Sequence, residues 1–146
     1  MGQNDPIDDI EGREITAQSV NERLDDWLRR LEALFSQIKA WASSTGWTAE
    51  DGAPIAMREE IMQRVGVAER KQPTLRVRNG EGAEIWIKPK GLWVIGANGR
   101  IDMYSRKGAF TLVDVADTLQ TPQWVLHRIG KRDGQPFNPQ QLADMV

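Results

Sequence analysis

The chain contains no cysteine, one histidine and one tyrosine. No apolar run approaches the roughly 20 residues needed to span a bilayer. Without cysteine there is no disulfide, no thiolate nucleophile and no Cys-based metal site. With a single histidine, a zinc site would need at least two carboxylates, an uncommon ligand set. His127 sits in "VLHRI" and reads as an ordinary strand residue with no nucleophile elbow beside it. Walker and dinucleotide patterns are also missing, because the glycines of "GANG" lie between two strand-like runs rather than ahead of a helix. No enzyme activity, cofactor or metal is therefore expected. The N-terminus is polar and acidic, unlike a secretory signal, and a reducing cytoplasm is the simplest location.

What is present suits a folded domain. The chain has 146 residues, 40% of them hydrophobic and 27% charged, enough to build one core. The formal net charge is −2, unevenly spread: residues 1–60 carry 6 Lys/Arg and 13 Asp/Glu (−7), and residues 61–146 carry 13 and 8 (+5). Residues 1–15 read as a flexible acidic tail, and 16–146 as a single α+β domain.

The first element is a long helix near 20–43, with Ser19 and Glu22 as a capping box. Apolar residues recur at steps of four and three through Leu24, Trp27, Leu31, Leu34, Ile38 and Trp41. Such a heptad seam packs either on the helix's own domain or on a second copy, so a homodimer is a candidate. Pro54 is placed to open a shorter helix that closes at Gly66, within a helical part 16–66.

From residue 74 the period changes to two. Strands are expected near 74–78, 84–88, 92–96, 101–105 and 109–113, with a sixth at 123–129. Short Gly- and Pro-containing turns join them, which predicts a five- to six-stranded antiparallel meander over 74–130. Asn138-Pro139 then starts a short C-terminal helix over 138–145.

Cross-strand matching predicts a register. A three-residue loop at 80–82 sets Val77 against Ile85, Arg76 against Trp86 and Arg78 against Glu84. A turn around Pro89 sets Trp86 against Trp93, and an Asn98-Gly99 turn sets Trp93 against Tyr104. One face is then aliphatic and takes the long helix. The other carries the row Arg76, Trp86, Trp93, Tyr104, with Lys88 and Arg100 beside it. Those six residues are the candidate partner-binding site, unless the C-terminal segment folds over them as a second core.

The expected function is that of a non-enzymatic binding protein. It would inhibit or adapt another macromolecule, most simply a protein, in the manner of an immunity, antitoxin or phage counter-defence protein. Trp, Tyr and Arg are the usual hot-spot residues of such surfaces. One alternative is a single-stranded nucleic-acid or nucleotide binder that stacks bases on the same face. A second is a small metal-dependent nuclease using Glu84, Lys88 and Asp102.

Overall fold

A computed structural model of the chain describes residues 15–94, 97–117 and 120–146. Helix α1 spans Ala17–Ser44. Strands β1 (Thr48–Asp51) and β2 (Ile55–Met57) precede the one-turn helix α2 (Glu60–Arg64). Then come β3 (Arg70–Gln72), β4 (Leu75–Arg78), β5 (Glu84–Val94), β6 (Ala97–Ser105), β7 (Gly108–Asp114), β8 (Trp124–Arg128) and β9 (Gln135–Pro136). A 3₁₀ helix over Pro139–Met145 ends the chain. The main sheet has seven antiparallel strands in the order β1-β4-β5-β6-β7-β8-β9, and β2 with β3 forms a separate pair. The architecture is α+β.

Helix α1 starts earlier than its apolar seam. Thr16 is the N-cap and its hydroxyl accepts from the Ser19 N–H at 3.0 Å, while the Ser19 hydroxyl accepts from the Thr16 N–H at 2.8 Å. Ser19 is thus the far member of the capping box rather than the cap, because a threonine three residues upstream reaches the same orphan donors. The acidic tail expected over 1–15 lies outside the described residues except for Ile15, which packs half-buried against the core.

The seam is consumed within the chain. Leu24, Trp27, Leu31 and Ile38 are completely buried, and Leu34 and Phe35 nearly so. Each such side chain contributes about 2 kcal/mol of apolar burial. Trp41 is half-buried with its ring edge-on to Trp47, centroids 4.9 Å apart. Of the expected oligomer seam, Leu24, Trp27, Leu31, Leu34 and Ile38 are therefore buried in the chain's own core, and Trp41 packs on Trp47 at its margin. The reason is the sheet itself: Leu75, Val77, Ile85, Ile87, Leu92, Ile101, Met103 and Leu112 turn a continuous aliphatic face toward the helix. No helix among the described residues is long and apolar enough to cross a membrane.

Two short elements differ from the pattern reading. Pro54 does not open a helix. The next three residues form β2, which pairs with β3 in the register Ile55↔Gln72 and Met57↔Arg70. Only five residues, Glu60–Arg64, then turn helical, before Gly66 takes φ +72°. At the C-terminus, Asn138 and Gln141 cap one another reciprocally, as "NPQQ" suggests. Leu142 and Met145 there join the same buried cluster as α1.

The β5 strand is the main departure. It runs unbroken from Glu84 to Val94 and absorbs the Pro89 "turn" as a bulge between Pro89 and Gly91. Proline is tolerated because pairing with β4 stops at Ile87, so β5 has an open edge from there on. At that edge the Glu59 carboxylate accepts from the N–H groups of Leu92 (3.0 Å) and Trp93 (3.1 Å). The hairpin to β6 closes with Val94↔Ala97, so Asn98 and Gly99 lie inside β6 and not in its turn.

Candidate interaction surface on the open sheet face

Helix α1 and the terminal 3₁₀ helix share the core on one side of the sheet. The alternate residues of the strands point the other way. In β4 and β5 the burial pattern alternates strictly through Leu75–Arg78 and Ile85–Lys90. The first hairpin has the register predicted for it: Arg76↔Trp86, Val77↔Ile85 and Arg78↔Glu84. The continuous β5 then changes the partner of Trp86, which opposes Tyr104 directly. The row on the open face is Glu50, Arg76, Trp86, Tyr104 and Ala109, running from β1 to β7. A second row follows from the same register: Lys88, Asp102, Thr111, His127.

Trp93 does not belong to this face. It stays on the same strand as Trp86, seven residues on and about 20 Å away along β5. It opposes Asn98, packs half-buried against the core and has the Arg23 guanidinium of α1 5.4 Å from its ring centroid. The predicted contacts Trp86–Trp93 and Trp93–Tyr104 fail because both depended on turns that the chain does not make.

The C-terminal segment does not cover the row among the described residues. Trp86 is 40% exposed and Tyr104 44%. Cations flank the Trp86 ring: Arg76 lies 5.2 Å from its centroid and Lys88 5.5 Å. Such contacts hold the ring in place and brace two long side chains.

The charges of the face are paired with one another. Arg76 reaches Glu50 at 2.8 Å, Arg78 reaches Glu84 at 2.9 Å, and Arg100 reaches Asp102 at 2.8 Å. The Tyr104 hydroxyl is 3.4 Å from the other Asp102 oxygen. The Arg76 guanidinium holds the Glu50 carboxyl below its usual range, and Glu50 in turn raises Arg76. Partial burial, with Asp102 beside it, raises the Tyr104 phenol. Glu84 and Asp102 are thus each occupied by an arginine, and no group of three His, Asp or Glu residues comes together among the described residues.

Several contributors escaped the sequence reading. Glu50 was missed because "TAED" is too short and polar to announce the edge strand β1. Arg30 sits amid the apolar stripe of α1, which is the one signal for what lies beneath it. It is almost fully buried and ion-paired to the buried Asp114 and to Asp26, and it donates to the Asn98 carbonyl at 2.8 Å. Asp114 also accepts from the N–H groups of Ala116 (3.0 Å) and Gln123 (2.9 Å). This network bolts α1 to the far half of the sheet, behind the open face.

No protein-family model matches the chain, and no curated protein or solved structure is significantly similar to it.

Proposed function

We propose that the chain is a non-enzymatic binding protein whose open sheet face, centred on Trp86 and Tyr104, engages a protein partner and so inhibits or adapts it. The observation that supports this is the directly opposed, half-exposed Trp86–Tyr104 pair on a rigid sheet. Large amphipathic rings of this kind supply contact area at low entropic cost, and a monomer gains nothing from leaving them in water. The pairing of charges favours a protein over a nucleic acid. Glu50, Glu84 and Asp102 stand among the cations of the same face, and they would repel a phosphate backbone. A protein partner offers donors as well as acceptors and suits the mixture.

The test is capture of material from the native host on immobilised protein, with both protein and nucleic acid quantified. Trp86→Ala and Tyr104→Ala should remain folded and lose the captured protein. Unchanged capture by two folded variants would remove the face from the function. Captured material that is nuclease-sensitive and released steeply by salt would replace the protein partner with a nucleic acid.

A further inference from the structure

The open face continues into a cationic end of the sheet. The β6–β7 turn carries Arg106 and Lys107, Arg128 ends β8, and the segment after it carries Lys131 and Arg132. The register brings these turns together. Ser105 opposes Gly108, Phe110 opposes Arg128, and the Ile129 N–H donates to the Ala109 carbonyl at 3.1 Å. Arg128 donates to the Lys107 carbonyl at 3.2 Å, which ties one turn to the other. Lys107 donates to the Asp144 carbonyl at 3.1 Å. Across Ser105–Gly108 and Arg128–Gly134, five cations stand against one acid, Asp133. None of the five is ion-paired with a carboxylate among the described residues, in contrast to the arginines of the face next to them. Among them stands Ile129, 55% exposed, and Tyr104, which opposes Ala109, borders the cluster on the sheet.

An exposed apolar residue beside unpaired cations, on turns tied to one another, has a definite complement. We propose that the paired turns Ser105–Gly108 and Arg128–Gly134 dock an acidic, apolar-anchored segment of the partner protein, with Ile129 as the anchor and Arg106, Lys131 and Arg132 as the charged ring. This rests on reading the sheet face as a protein-binding surface, and it adds which chemistry the partner presents beside Trp86 and Tyr104. Arg128 and Lys107 are partly engaged by backbone carbonyls and set the scaffold. Among the described residues Arg106, Lys131 and Arg132 make no side-chain hydrogen bond or ion pair and have their charges to offer. Complementary charge at such a rim steers encounter and fixes register.

The probe is a short labelled amphipathic peptide of Glu and Leu, titrated against the full chain by fluorescence anisotropy. A peptide with Gln in place of Glu serves as control. The Glu peptide should bind with an affinity that falls as salt rises. Lys131→Glu with Arg132→Glu should weaken it about tenfold. The same two-charge reversal placed elsewhere, Arg64→Glu with Lys71→Glu, should leave it within about twofold, as expected of distant screened charges. Ile129→Ser should weaken it without unfolding the chain. Equal loss from both reversals, no loss from either, or equal binding of the Gln peptide would overturn the proposal. So would tighter binding of an oligothymidylate, or of phosphatidylcholine vesicles containing phosphatidylserine. Loss with Trp86→Ala but not with Lys131→Glu/Arg132→Glu would sink the docking turns and leave the face reading standing. Loss with the reversal alone would keep the turns as the site and detach them from the face.

Discussion

The six-membered ring of Trp27 lies where a Cβ on Gly99 would stand, so the helix rests directly on the β6 backbone. Gly99 also has φ +105°, a conformation that side chains resist. Trp27 is fully buried there, and its indole N–H donates to Gln72 at 2.9 Å. Gly99→Ala should therefore destabilise the chain by about 3 kcal/mol, combining overpacking with backbone strain. Chemical denaturation checks this through a lower midpoint at unchanged slope. A loss below about 0.5 kcal/mol would mean that the helix can lift off the strand.

The Arg30–Asp114 pair is buried on both sides. Removing one partner strands the other charge. Asp114→Ala should cost about 4 kcal/mol, and Arg30→Met a similar amount. The double variant should recover much of the loss, and a double-mutant cycle reads the coupling directly. Strictly additive losses would show that the two side chains act independently.

Trp86 and Tyr104 are half-exposed, unlike the fully buried Trp27 of α1. Alanine at either position should cost about 1 kcal/mol or less, at Trp86 mostly through lost cation–π contact with Arg76 and Lys88. Near-UV circular dichroism and thermal melts decide it. Unfolding of either variant would identify the row as core after all.

Two carboxylates move stability with pH in opposite directions. Burial raises the Glu59 carboxyl above 4.5, although its bonds to the Leu92 and Trp93 N–H groups pull it back. The folded chain thus holds the proton more tightly than the unfolded one. The stabilisation this brings is complete below the unfolded value and is lost as pH rises through the folded one. Glu50, held low by Arg76, behaves conversely: its contribution is present above 4.5 and disappears as pH falls through the lowered value. Unfolding titrations across the acid range should show Glu59→Gln flattening the upper limb and Glu50→Gln the lower. Parallel curves for wild type and Glu59→Gln would contradict the first assignment.

Much of the fold was legible because it is local. The 3.6-residue pattern from Val20 to Ala42 could only be a helix, and "RNGEGAE" with alternating flanks could only be a hairpin. Its register followed from matching Arg78 to Glu84 and Val77 to Ile85. The aliphatic face was read from alternation, and its Leu75, Val77, Ile85, Ile87, Leu92, Ile101 and Met103 are fully or nearly fully buried. Alternation identifies a strand and its two faces wherever one side meets a core.

Pairing beyond a turn was decided by tertiary structure. "KPKG" has the composition of a turn, yet the open edge beyond β4 and the acceptor supplied by Glu59 let the chain run straight through Pro89. That one continuation exchanged Trp93 for Tyr104 as the partner of Trp86. The seam of α1 likewise held no information about which surface it would meet. The aliphatic sheet face lay within the same chain at far higher effective concentration than any second copy, and it claimed the seam first. Sequence determined which residues must be hidden and which strands alternate. The three-dimensional fold chose what hides them, and so left Trp86 and Tyr104 side by side in the open.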